Sequence, residues 1–245
     1  MQLCFKYGKN ESLLIREIVK DILNKSLSTS IDDTKNLVGI GAHIQEMEMQ
    51  LCLESNDVWM VEIWGVGRTG KTTIAKAIYR KISSQFEAYS FFEKVKEDLA
   101  KEGLIRLQHK FLSQLLEEEN INMKGLTWIK ARLLSKKFLI IIDNVNDPII
   151  LDCLIGNPDW TGQGSRIIIM TRDKHLLISH GVNCYEAMEF DDDEALEFLA
   201  QYSLKHELPR NDFKDLSRAI IWYAQGLPLT LKVLGSFLFS MSKEE

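Results

Sequence analysis

The sequence predicts a three-layer αβα fold built on a parallel sheet, followed by a small all-α region. Three observations predict it. Phe138-Leu139-Ile140-Ile141-Ile142 and Ile167-Ile168-Ile169 are continuous apolar runs, as strands covered on both faces require. A glycine-rich turn, Gly65 to Gly70, lies between a strand pattern and a helix pattern, which fits a strand–turn–helix unit. Strand signals stop near Tyr185 and helical periodicity follows.

Taken in order, Leu14, Ile18, Val19, Ile22 and Leu23 share one face of a helix over residues 11–25. Residues 26–36 are polar and turn-rich and read as a linker. A second helix is expected from 42 to about 54. A strand over 58–64, the glycine turn and a helix from about 71 to 83 follow. Residues 89–95 form a weaker strand, 103–116 and 126–134 helices, and 137–143 and 165–171 buried strands. Alternation of this kind predicts a parallel sheet with helices on both sides. Residues 193–205, 212–223 and 228–241 read as helices. The expected organisation is a connector and linker over 1–35, an α/β domain over 36–185 and a helical region over 186–245. The helical region is expected to stop short of a complete core, leaving apolar surface near Leu234 to Phe239 exposed.

Composition removes several function classes. The 245 residues are 45% hydrophobic and 27% charged, which excludes a wholly disordered chain and is ample for a core without disulfides or metals. Lys and Arg number 30 against 35 Asp and Glu, a net charge of -5, so no nucleic-acid partner or anionic membrane is expected. Cys4, Cys52, Cys153 and Cys184 form no C-x-x-C pair and read as free or buried thiols. His109, His175, His180 and His206 show no metal spacing. No secretory signal opens the chain. Its most apolar stretch, 227–241, is interrupted by Pro228, Lys232 and Gly235 and falls short of the roughly 20 apolar residues a membrane span needs.

The segment Gly65-Val66-Gly67-Arg68-Thr69-Gly70-Lys71-Thr72-Thr73 matches the phosphate-binding loop G-x-x-x-x-G-K-[ST]. Glycines let the backbone curl so that its N–H groups face phosphate oxygens. The helix starting near Lys71 adds its positive end. Lys71 would reach the terminal phosphates, and the Thr72 hydroxyl would bind Mg²⁺. Such a loop calls for an acid at the end of a buried strand. Asp143 follows five apolar residues and is the expected Mg²⁺ partner, acting through water. Thr171 and Arg172 end another buried strand, at the carboxyl edge where open α/β folds bind ligands. No N-K-x-D segment is present, which favours adenine over guanine.

Together these residues resemble the NB-ARC nucleotide-binding region of plant disease resistance proteins, within the STAND class of P-loop ATPases. Residues 65–73 match its phosphate loop, and 136–146 resemble its second kinase motif. Residues 162–173 resemble its sensor motif, and Gly226-Leu227-Pro228-Leu229 matches the G-L-P-L motif of its helical ARC1 subdomain. Residues 86–97 and Asn146 resemble the class that carries a TIR domain, and the helix over 11–25 resembles the connector after that domain. TIR, second ARC and leucine-rich-repeat segments are not seen, so the resemblance is to a truncated receptor, a gene fragment or a short paralogue. It implies ADP in a resting state and ATP with Mg²⁺ on activation, in a cytoplasmic chain, with the nucleus also open to it. It implies that Val38 and Gly39 border the adenine, that Pro228 contacts the base, and that Arg172 senses the terminal phosphate. Other resistance-receptor chains are implied as partners.

Departures from the family pattern carry their own expectations. Asn144 stands where a second acid is usual; an amide accepts no proton, so hydrolysis should be slow or nil. Arg68 and Thr69 replace the common Gly-Ile, with the flanking glycines expected to permit the curl and Arg68 to point outward. Met170 replaces a common Thr, and Gly41 a usual acid. Three functions follow: an ADP/ATP switch module, an active ATPase, or a nucleotide-independent adaptor or decoy for full-length receptors.

Overall fold

Two compact units divide the chain in the computed structural model, which describes residues 37–118, 121, 126–155, 160–174, 182–203 and 214–241. The helix expected over 11–25 and the linker after it lie outside the described residues, as do His175, His180 and His206. The first unit is Ile40–Met188; residues 37–39 group with the helical segments after Met188.

In the first unit, α1 (Ile40–Leu51) leads to β1 (Trp59–Trp64), the glycine turn and α2 (Lys71–Ile82). Then come β2 (Ala88–Phe92), α3 (Val95–Glu102), α4 (Leu104–Leu116), α5 (Leu126–Leu134), β3 (Phe138–Ile142), α6 (Pro148–Leu154), β4 (Arg166–Thr171) and β5 (Asn183–Glu186). The strands form one sheet in the order β2-β3-β4-β1-β5, and every pairing is parallel. Strand alternation splits the apolar residues between two faces. Ile140, Ile142, Ile167 and Ile169 pack with Leu107, Phe111 and Leu115 of α4 and with α5 and α6. Leu139, Ile141, Val61, Ile63, Ile168 and Met170 pack with Met47 and Leu51 of α1 and Ile74 and Ile78 of α2. Met170 is thus a core residue, and the three-layer parallel fold is the one expected.

Three elements escaped the periodicity reading. Helix α3 buries only Val95, so no apolar stripe marks it, and it shortens the strand expected over 89–95. Helix α6 spans 7 residues, two turns. It nevertheless carries a start signal: the Asp147 side chain accepts from the Ile149 N–H at 2.9 Å, with Pro148 next. Strand β5 buries only Tyr185, and main-chain pairing with β1 holds it at the edge.

Arg166, at the start of β4, is fully buried. Its Nε donates to the Leu51 carbonyl at 2.6 Å, Nη1 to Asp57 at 2.9 Å and Ser165 at 3.0 Å, and Nη2 to Ser55 at 2.8 Å and also to Cys52. A helix leaves its last carbonyls without intrahelical partners. Arg166 satisfies the last of these in α1, that of Leu51, and fastens the following loop through Cys52, Ser55 and Asp57, which fixes where β1 begins.

The second unit holds α7 (Asp192–Ser203), α8 (Lys214–Ala224) and α9 (Pro228–Met241). Val38 packs with Ala195, Phe198, Leu199, Ile221, Ala224 and Leu231, which is why residues 37–39 group here. Asp191 and Glu194 cap α7 reciprocally: the Glu194 N–H donates to Asp191 Oδ1 at 2.8 Å and the Asp191 N–H to Glu194 Oε2 at 3.3 Å. Leu234 is buried and Phe237 half-buried, while the side chains of Leu238 and Phe239, also expected at the surface, lie outside the described residues; among the described residues of this unit, Trp222 on α8 is strongly exposed, at 81%.

Glu62 is the anomaly of β1. It lies on the Met60 face of β1, beside Cys184 of β5, 1% exposed. Its Oε1 has no hydrogen-bond partner. Burial pushes its pKa from 4.5 to about 7; the Cys184 thiol and Lys174 oppose this, and Asp173 adds to it. A carboxyl whose folded pKa is raised favours the fold fully below about pH 4.5 and loses that advantage as pH rises through about 7. Glu62→Gln should therefore stabilise the chain increasingly from pH 5 to pH 8, by an amount on the order of 3 kcal/mol. Denaturant unfolding of both proteins at the two pH values checks this; an offset independent of pH contradicts it.

Candidate functional site

Strand β1 ends at Trp64 and α2 begins at Lys71, so the loop between them must curl within six residues, 65–70. Gly65 takes φ 153°. A Cβ there would lie 2.9 Å from the Ala187 carbonyl oxygen, so the loop passes too close to its neighbour for any side chain. Gly70 takes φ 89°, and a Cβ there would meet nothing within 4 Å: the space before the helix is open. The third residue of the curl is not a glycine. Arg68 takes φ 79°, a left-handed conformation costing an L-residue about 1–2 kcal/mol. The flanking glycines, expected to permit the curl, thus share it with Arg68. Arg68 is exposed, as expected, while Thr69 is buried and its hydroxyl donates to the Val66 carbonyl at 3.1 Å.

Helix α2 starts with no side chain capping it, so the N–H groups of its first turn, which includes Thr72 and Thr73, are available to an anion. Lys71 folds back over the loop, and its Nζ donates to the carbonyls of Gly65 and Val66, both at 2.7 Å. Burial lowers the Lys71 pKa from 10.5 to about 8; Arg172 pushes the same way and Asp143 opposes. From the next turn position, the Thr72 hydroxyl donates to Asp143 Oδ2 at 2.8 Å. Burial raises the Asp143 pKa. Hydrogen bonds from Thr72 and the Asn144 backbone and the charge of Lys71 oppose that rise, and the charge of Glu93 adds to it.

Arg172 follows β4, and a Cβ on Gly67 would lie 3.4 Å from its Nη1. The guanidinium thus packs on the loop beside Lys71. Thr171 faces its own backbone, accepting from the Asp173 N–H at 3.0 Å. Asn144 has φ 61°, and its Oδ1 accepts from Asn146 Nδ2 at 3.3 Å. The structure therefore brings Gly65, Gly67, Arg68, Thr69, Gly70, Lys71, Thr72, Thr73, Asp143 and Arg172 into one place. Val38, Gly39 and Pro228 belong to the helical unit. There Gly39 has φ 68°, and a Cβ would lie 2.5 Å from Glu194 Oε1; Pro228 opens α9. Glu93 is the charged neighbour that sequence reading missed: it stands one residue past β2, and only strand pairing sets it near Asp143.

The donor set suits a Mg²⁺-bound phosphate chain. Thr72 and Asp143 offer hard oxygen ligands on one side, and two cations and an uncapped helix start face the other. Among the described residues no group of three His, Cys, Asp or Glu side chains could hold a metal alone, so a metal here would need phosphate oxygens and water as further ligands. Among them, too, no helix is long and apolar enough to cross a membrane.

The profile of the NB-ARC domain matches residues 40–209. Disease resistance protein RPV1 of Vitis rotundifolia is 43% identical over 234 residues, covering 93% of this chain and 17% of that protein. TMV resistance protein N of Nicotiana glutinosa is 38% identical over 252 residues, covering 99% and 22%. The chain thus spans about a fifth of the length of these relatives. Among solved structures, a Drosophila ORC chain bound to DNA superposes with a TM-score of 0.60 at 12% identity, covering 94% of this chain and 65% of that one. Cdc6p from Pyrobaculum aerophilum gives 0.59 at 11%, covering 88% and 65%; these two likenesses concern the fold.

The strained Arg68 generates a stability prediction. Arg68→Gly should raise stability by about 0.5–1 kcal/mol, strain relief being partly offset by the entropy of glycine. Arg68→Val, β-branched in the same conformation, should lower it by about 1 kcal/mol. Thermal melts should separate the two variants by several degrees; equal melting temperatures contradict the strain.

Proposed function

The chain belongs to the NB-ARC family, and we propose that it is an ADP/ATP-binding switch module of a plant immune receptor. The observation that carries this reading is the Thr72–Asp143 hydrogen bond beside Lys71, at the open, uncapped start of α2. In this reading the loop amides, the first turn of α2 and Lys71 hold a diphosphate, and the Lys71 ammonium exchanges one of its carbonyl partners for a phosphate oxygen. Thr72 and Asp143 hold Mg²⁺, Asp143 through water. When bound, Mg²⁺ supplies charge neutralisation on the phosphate oxygens. Arg172 senses whether a terminal phosphate is present, and Val38, Gly39 and Pro228 border the adenine, as the family resemblance implies.

The output is a shift in a conformational equilibrium. ADP holds the resting state and ATP favours the active one, in the cytoplasm or nucleus, with other receptor chains as partners. Hydrolysis is slow, because Asn144 offers an amide where an acid would accept a proton.

Mass spectrometry of nucleotide released on denaturing the purified chain should recover ADP. Lys71→Ala should weaken ADP binding at least 100-fold in calorimetry, and unchanged affinity refutes the site. Asn144→Asp should raise steady-state phosphate release by roughly tenfold or more; equal rates refute the assignment of slow turnover to Asn144.

A further inference from the structure

We propose that Glu93 is the carboxylate that orients the attacking water for the residual ATP hydrolysis of this chain, with Lys76 as its positioning residue. The proposal rests on the nucleotide-site reading above. Strands β2 and β3 pair in parallel with Phe92 opposite Ile142, and the Asp143 N–H donates to the Phe92 carbonyl at 2.9 Å. Glu93 therefore leaves the sheet at the level of Asp143, one strand over, a backbone spacing of about 4.8 Å. Lys76 Nζ holds Glu93 Oε1 at 2.7 Å and lies over the Phe91 ring at 5.9 Å from its centre.

Lys76 is one helical turn beyond Thr72, on the same side of α2. The helix that carries the hydroxyl facing Asp143 thus also sets the Glu93 carboxylate. Asn144, the residue next to Asp143 in sequence, is engaged with Asn146 instead.

In the step itself, the water oxygen forms the new bond to the γ-phosphorus. The bond from that phosphorus to the β–γ bridging oxygen breaks, its electron pair leaving on ADP. The water proton passes to the Glu93 carboxylate, which later releases it to solvent. Both partners of the ion pair are partly exposed, at 38% and 46%. Such a pair has little effect on stability, so its removal leaves the fold intact and its functional effect legible.

The test uses the whole chain, with single-turnover hydrolysis of labelled ATP in Mg²⁺ read separately from calorimetric affinities for ADP and for ATP with Mg²⁺. Glu93→Gln should lower the rate at least tenfold and leave both affinities within about twofold. Lys76→Met should lower the rate several-fold, and Lys76→Arg should restore most of it. A Glu93→Gln rate equal to wild type with binding intact overturns the role of Glu93 and leaves the nucleotide site standing. So does a wild-type chain that binds ATP without any single turnover. Failure of the wild-type chain to bind nucleotide overturns the site reading and this proposal with it.

Discussion

Parallel pairing places the carboxyl ends of β1, β2, β3 and β4 along one edge of the sheet, and each end delivers a different group there. Gly65 and the curled loop follow β1, Glu93 follows β2, Asp143 follows β3 and Arg172 follows β4. The Thr72–Asp143 hydrogen bond joins residues 71 apart in sequence; without the β3–β4–β1 register they would not meet. A slip of one residue would turn the side chain after each strand to the other face. The all-apolar β3, buried along its length, resists such a slip from both sides.

The electrostatics of the edge suit an anion. Lys71 and Arg172 converge on one loop; burial, aided by the charge of Arg172, depresses the Lys71 ammonium, while burial raises Asp143. A polyphosphate with Mg²⁺ would relieve both tensions at once, giving the cations an anion and the acid a cation. The loop meanwhile tolerates strain: Arg68 sits in a glycine-like conformation, and the steric limit at Gly65 shows how little room the curl has. Two arginines six residues apart have opposite duties. Arg166 is spent on main-chain carbonyls and fixes the entry to β1; Arg172 is exposed and lies against Gly67.

The parts of the fold that the sequence hid share a physical reason. Periodicity reports burial, and α3, with Val95 alone buried, and β5, with Tyr185 alone buried, leave no pattern to read. Leu234 was expected at the surface because the helical region was read as stopping short of a complete core; its burial comes from packing within the helical unit, where neighbouring Leu231 is wholly buried.

By itself the sequence determined the phosphate loop, the acid that ends the third strand, the layered α/β architecture and the family. Each of these rests on residue type and spacing within one continuous segment. Only the tertiary structure decided that Arg68 carries the left-handed turn, that Glu93 stands one strand from Asp143, that Arg166 is a clamp and that Glu62 is buried beside Cys184. Those facts depend on register and on neighbours distant in sequence. No local pattern encodes which strand will lie beside another, or which side chain will lose its water.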